Sequence, residues 1–193
     1  MIWLSYRLQL LTPAECKVWL SQVEWLYAKT LSTKRARQFC NGRALIRRLL
    51  VYQYQPLYND AITIELPTDR APALTVKGQP WQLSVSHSAD AVAVAVSHSN
   101  KLGLDIEQLK PRNYLTLSQQ YAALAGAEDL TDFYHRWTTA EAYSKYSGKP
   151  LLQVLNKTLP DKILCHYLPL KSYMLCLTHQ HADAEITINE DKL

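Results

Sequence analysis

Nowhere in the 193 residues do eighteen apolar side chains run together, so no segment is long enough to cross a membrane as a helix. The chain opens Met-Ile-Trp-Leu-Ser-Tyr-Arg, without the basic stretch and apolar core of a secretory leader, and a cytoplasmic location is expected. Cysteine is sparse: Cys16, Cys40, Cys165 and Cys176 form neither a Cys-x-x-Cys pair nor a dense framework. That argues against a disulfide-stapled fold and for free thiols in a reducing compartment. Only five glycines occur, so Gly42, Gly78, Gly103, Gly126 and Gly148 mark individual turns or close approaches rather than general flexibility.

What is present is an ordinary globular composition, 48% hydrophobic and 20% charged, enough for one compact unit with a substantial core. The net charge of +4 is modest, but Lys34, Arg35, Arg37, Arg43, Arg47 and Arg48 crowd into one segment. Such a run is most often a solvated helix face; it also attracts phosphates or an acidic partner.

Thr12-Pro13 followed by Cys16, Trp19, Leu20, Val23 and Leu26 predicts a helix over 13–27 with those apolar residues inward. Ser32 or Thr33 caps a second helix to about Tyr52, which turns Phe39, Ile46, Leu49 and Leu50 inward and most basic residues, Arg37 and Arg48 among them, outward. Strands are expected at 62–66, 83–86, 91–96 and 102–107, with a hairpin turn over 97–101. Helices follow at 114–125 and 130–147, with Gly126 between them and Gly148-Lys-Pro150 as the stop, then strands at 163–168, 173–178 and 184–188. Helices followed by strands thus occur once before about residue 98 and once after it. The order predicts an α+β protein of two similar halves, 1–98 and 99–193, with a cleft between them, although no repeated motif supports duplication.

Asp105 and Glu107 lie two apart on a predicted strand, so both carboxylates leave the same face and repel unless a cation or solvent separates them. An isolated Asp-x-Glu is most often an exposed polar strand face; as a site it suits magnesium, which takes a few carboxylates together with water and substrate phosphates. In Trp137-Thr-Thr-Ala-Glu-Ala-Tyr-Ser-Lys145, Glu141 and Lys145 share one helix face. They read either as a surface ion pair or as a third metal ligand and a phosphate-binding cation. Ser84-Val-Ser-His-Ser88 gathers hydroxyls and an imidazole able to hold phosphate without a glycine-rich loop.

Together these segments resemble the 4′-phosphopantetheinyl transferase superfamily, in its larger single-chain type with two similar halves. Gly42-Arg-Ala-Leu-Ile-Arg47 is similar to the family's first basic motif and Ser84 to Ser88 to its serine-histidine motif. Gly103-Leu-Asp-Ile-Glu107 resembles its metal motif, and Trp137 to Lys145 its tryptophan-glutamate-lysine motif. The resemblance covers residues 35 to 150 and implies a holo-acyl-carrier-protein synthase. Such an enzyme transfers phosphopantetheine from coenzyme A to a serine of an acidic acyl or peptidyl carrier protein, with no nucleic acid or membrane partner. A monomer is expected, because two internal halves can complete one site.

By the same resemblance, Ser86, His87, Arg43 and Arg37 bind the nucleotide end of coenzyme A. Asp105, Glu107 and Glu141 hold magnesium, Lys145 balances charge on the phosphate bridge, and Glu128 is the base for the carrier serine. Two positions depart from the family pattern. Ala140 stands where a lysine usually precedes the metal glutamate, and Lys77-Gly78-Gln79-Pro80 replaces Gly-Lys-Pro, so Lys77 is expected to reach the same phosphate from a shifted position or to lose the contact. These departures motivate a binding-only alternative, and the basic helix with its many aromatics motivates a nucleic-acid-binding one. Cys176, His179 and His181 lack a fourth zinc ligand and read as incidental.

Overall fold

Strand β5 (Ala91–Ser97) alternates alanine with valine, every side chain is buried, and the alternation organises the layers of the molecule. Val92, Val94 and Val96 pack under the long helix α3 (Thr33–Gln53), against Leu45, Ile46, Leu49 and Leu50. Ala91, Ala93 and Ala95 face the other way, and their small side chains let a second sheet approach closely. The computed structural model describes residues 1–53, 61–67 and 72–192.

The larger sheet also contains β1 (Ile2–Arg7), β2 (Ile62–Ile64), β3 (Leu74–Val76), β4 (Gln79–Ser88) and β9 (Ile186–Glu190). Its strand order is β2-β3-β4-β5-β1-β9. The smaller sheet has the order β6-β8-β7, built from β6 (Leu102–Gln108), β7 (Leu164–Leu170) and β8 (Tyr173–His179). Leu102, Leu104, Ile106, Leu175 and Leu177 bury one face of it on the alanine face of β5. The other face carries α5 (Leu130–Ser147) and α6 (Leu151–Leu155), with Phe133, Tyr134, Ala140, Val154 and Met174 between them.

The fold is mixed α+β, as its sequence predicts, with several local differences. The segment 97–101 is not a hairpin turn: β5 pairs with β4 and β1, while β6 pairs with β8, so the segment carries the chain from one sheet to the other. The sheets also do not divide at residue 98, because β9 returns to lie parallel to β1 in the larger sheet. Helix 114–125 shortens to α4 (Tyr114–Gln120) and a 3-10 turn at Ala122–Leu124, and α6 has no counterpart in the expectation.

The expected helix 13–27 is broken into α1 (Pro13–Cys16), a 3-10 turn, and α2 (Gln22–Ala28). Two successive capping boxes, Thr12 with Glu15 and Ser21 with Glu24, start a helix twice, and Leu20 between them is extended. The restart rotates α2, so Val23 and Leu26 face solvent, 61% and 54% exposed, while Glu24 is buried.

Burial of Glu24 also corrects the expectation that the α3 arginines point outward. Arg47 lies 2.9 Å and Arg43 3.4 Å from the Glu24 carboxylate, all three inside the protein. Arg48 donates to Asp191 at 2.8 Å and stacks over Trp19 and Tyr52, and Arg7 binds the same carboxylate. Half-buried Arg37 donates to the Leu10 and Leu11 carbonyls and to Asp90. Acidic groups brought from distant parts of the chain neutralise this face, leaving Lys34 and Arg35 at its exposed start.

Candidate metal centre and adjoining pocket

Helix α5 begins at Asp129, whose side chain accepts from the Asp132 amide at 2.8 Å, and ends at Gly148 in the left-handed conformation, φ 73°. It lies directly on β6 because Gly103 has no side chain. A Cβ there would sit 2.1 Å from the Ala142 carbonyl oxygen and 2.5 Å from the Tyr146 amide nitrogen, both helix backbone. Gly103→Ala is therefore expected to push α5 off β6. The cost is about 1–3 kcal/mol or more of stability, with a measurable loss of divalent-ion binding because the helix carries Glu141. Unfolding in denaturant and calorimetric titration with the ion check both.

This close approach faces the alternate β6 side chains Asp105 and Glu107 toward Glu141 and Lys145. Carboxylate oxygens of Asp105, Glu107 and Glu141 all lie within 4.8 Å of one another, with Asp105 fully buried and the other two half-buried. Asp105 Oδ1 accepts from Ser86 Oγ at 2.7 Å and from Lys145 Nζ at 3.0 Å, and Lys145 also reaches the Leu104 carbonyl at 2.8 Å. The Ser88 hydroxyl donates to Glu107 Oε2 at 2.9 Å. Asp105 Oδ2 is buried with no fixed hydrogen-bond donor among the described residues, although the Glu141 carboxyl is close enough to share a proton with Asp105. Three carboxylates around one lysine need a further positive charge between them, and a proton or a hard divalent cation supplies it. The donor set, all oxygen and incomplete as a cage, fits magnesium that also binds phosphate oxygens.

Without a cation, burial and then the Asp105 carboxylate push the Glu141 carboxyl up to about 8, against the pull of Lys145; burial also raises Glu107, which the Ser88 hydrogen bond opposes. The folded protein then keeps a proton that the unfolded chain releases above about 4.5. This contribution to stability is complete below that pH and is lost as pH rises toward 8. In chelator, the denaturation midpoint is expected to fall across this window in the native protein and to stay flatter in Glu141→Gln. Parallel pH profiles in the two proteins would contradict it.

On β4 the serine-histidine segment divides between two faces. Ser84, Ser86 and Ser88 face β6, whereas His87 and Val85 face α3 and line a pocket of about 460 Å³. Tyr27, Phe39, Pro67 and Pro72 give the pocket apolar walls, and Arg35, Arg43 and His87 bring its polar groups. His87 is exposed at the wall, yet its pKa is lowered, first by burial of the ring against its surroundings and then by the Lys145 and Arg35 charges. Burial lowers the Arg43 pKa to about 10 while Glu24 opposes it; the guanidinium donates to the Glu65 carbonyl and lies over Phe39.

The structure thus brings together Asp105, Glu107, Glu141, Lys145 and Ser86, with His87 and Arg43 in the wall of the adjoining pocket. Arg37 stands apart, lining a different cleft beside Thr12, Glu15 and Asp191. Lys77 sits with Gly78 at the tip of the β3–β4 hairpin, both at positive φ, and is not among the residues described as lining the pocket. Glu128 is exposed in the turn before α5, where its backbone bonds Asp132 and Tyr114. Ala140 is fully buried on the inner side of α5, in the apolar cluster with Phe133, Val154 and Met174, and is not one of the three carboxylates of the acidic cluster. The sequence reading did not single out the partner of Arg43 and Arg47, Glu24. The Ser21-x-x-Glu24 capping box was the available signal, since it starts α2 at a new rotation.

No family model matches the chain. Curated proteins do. It is 32% identical over 98 residues to a candidate 4′-phosphopantetheinyl transferase, slr0495, of Synechocystis, a match covering 46% of this chain and 39% of that protein. To the 4′-phosphopantetheinyl transferase AcpT of Salmonella typhimurium it is 27% identical over 150 residues, covering 72% of this chain and 73% of the relative. To the 4′-phosphopantetheinyl transferase psf-1 of Bacillus pumilus it is 29% identical over 124 residues, 59% of this chain and 51% of that one. These distant curated homologues are all 4′-phosphopantetheinyl transferases, and the matches reach up to 72% of the chain.

Proposed function

We propose that the chain transfers 4′-phosphopantetheine from coenzyme A to a serine of an apo acyl or peptidyl carrier protein. The observation that carries this reading is the junction on β4. His87 opens on a pocket with aromatic walls and cationic groups, and the serines on either side of it bond Asp105 and Glu107 of the acidic cluster. A nucleotide in that pocket would direct its phosphates at carboxylates, which requires magnesium between them; when bound, the ion would neutralise the pyrophosphate and stabilise charge on the leaving phosphate.

Asp105, Glu107 and Glu141 are the ligands in this reading, and Lys145 supplies a second positive charge. Arg43 and His87 take the nucleotide end, while Ser86, which faces the acidic cluster, Lys77 and Arg37 keep that role on the resemblance alone. The carrier serine oxygen bonds the phosphorus next to pantetheine, the bond to the adenosine 3′,5′-bisphosphate leaving group breaks, and the serine proton passes to a base. Glu128 is the candidate base on the resemblance alone.

One chain supplies both the pocket on 1–98 and the acidic cluster on 99–193, which supports a monomeric enzyme with its site between two halves. The described cysteines are all free, which fits a cytoplasmic setting. With Arg43, Arg47 and Arg48 engaged internally, neither a nucleic acid nor the carrier meets them as a basic stripe. Purified protein with coenzyme A, magnesium and a panel of apo carriers, read by intact mass, tests the reading. Magnesium-dependent gain of one phosphopantetheine is expected; coenzyme A binding without transfer to any carrier would replace the transferase reading with that of a binding protein, and the absence of both binding and transfer would overturn the reading altogether.

A further inference from the structure

Among the described residues β6 is an edge strand: β8 pairs with one side, and its other side faces β4 with no backbone ladder between them. Such an edge leaves amides in need of acceptors. Three serines at a spacing of two, on the β4 face opposite His87, meet it. Ser84 Oγ accepts from the Leu104 amide at 2.9 Å, and Ser88 Oγ accepts from the Gln108 amide at 3.1 Å. Ser86 sits between them, 6% exposed, and pairs in register with Ala93, as Ser84 does with Ala95 and Ser88 with Ala91. The alanines leave room for β6 to come within reach of the hydroxyls.

Two of the three serines also hold carboxylates. Ser86 donates to Asp105 Oδ1 at 2.7 Å and Ser88 to Glu107 Oε2 at 2.9 Å. We propose that Ser86 and Ser88 are positioning residues for the metal ligands: each hydroxyl occupies one oxygen of its carboxylate, fixes the rotamer and leaves the second oxygen for the ion. Asp105 displays this division, since Oδ1 is taken by Ser86 and Lys145 while buried Oδ2 has no fixed donor. Binding through one oxygen per carboxylate suits a small octahedral ion that keeps sites for water and phosphate. A carboxylate free to turn and bind through both oxygens suits calcium. The serines therefore set ion preference as well as affinity. This inference rests on the metal reading of the acidic cluster.

Ser84 provides an internal control, because it makes the same kind of amide bond and its hydroxyl holds no carboxylate among the described contacts. Manganese alone and calcium alone are titrated calorimetrically into the full chain and its Ser84→Ala, Ser86→Ala, Ser88→Ala, Ser88→Thr and Glu107→Ala variants, with melting curves in chelator. Ser86→Ala and Ser88→Ala should each weaken manganese binding by about 10–100-fold and narrow its advantage over calcium. Ser88→Thr should restore much of the loss, and Ser84→Ala should lower the melting temperature while leaving ion affinity as it was. If Glu107→Ala loses the ion but both serine-to-alanine variants bind as the native chain does, the positioning role falls and the metal reading stands. If Ser84→Ala weakens binding as much as the others, the serines only hold β6 and the proposal is overturned. If Glu107→Ala binds as the native protein does, the metal reading falls and the proposal with it.

Discussion

Asp105→Ala and Glu107→Ala are each expected to lower magnesium-dependent transfer on the order of 10³-fold without unfolding the protein. The two carboxylates share the β6 face that meets α5, and with Glu141 they make a cluster in which like charges oppose one another. Removing one relieves that repulsion, so in chelator the variants should melt at the same temperature as the native protein or higher. If the cluster binds magnesium, the ion should raise the melting temperature of the native chain and leave that of the variants unchanged. Losing either carboxylate also lets the Glu141 pKa fall back toward the ordinary carboxylate range, because both Asp105 and Glu107 raise it. Intact-mass measurement of carrier modification, with melting curves in magnesium and in chelator, tests both parts. Transfer at the native rate in both purified variants would remove the cluster from the chemistry.

Glu24→Ala should cost about 3–5 kcal/mol of folding stability, although Glu24 lies outside the acidic cluster. It is 1% exposed and faces Arg43 and Arg47, which are 4% and 3% exposed. Without it, two guanidiniums remain buried with no carboxylate between them. Against a total of about 5–15 kcal/mol for a typical domain, that is a large fraction. The variant should unfold at much lower denaturant, and the pocket that Arg43 lines should lose its shape with it. Glu24→Gln keeps one acceptor oxygen but loses the other and the charge, and should fall between. A loss below about 1 kcal/mol, the range of an exposed pair, would mean that water reaches and screens the guanidiniums.

The legible parts of the site were those in which one element decides the geometry. Asp105 and Glu107 share a face because strand side chains alternate, and Glu141 and Lys145 share one because helix residues four apart align. The α5 stop at Gly148 and the alternation of β5 were readable for the same reason. The helical pattern turns most basic residues of α3 outward, Arg48 among them, whereas Arg43, Arg47 and Arg48 are engaged inside the protein. Their helix positions alone suggest solvent, and the groups that bury them, Glu24 and Asp191, come from elsewhere in the chain. The serine-histidine motif reads as one unit along the chain, whereas neighbouring side chains on a strand point to opposite faces: Ser86 and Ser88 meet carboxylates and His87 lines the pocket.

By itself, then, the sequence determined the kinds of element, the pairing of the carboxylates on one strand face and the motif order that relates this chain to the 4′-phosphopantetheinyl transferases, because these depend on local periodicity and residue identity. Tertiary structure alone decided that β6 leaves the larger sheet and β9 returns to it. It also decided that Gly103 lets α5 touch β6, and that buried acids neutralise the basic face of α3. Those outcomes depend on which surfaces meet across long sequence separations. There the cost of burying a charge, or the space of one missing side chain, is set by a partner that local periodicity does not name.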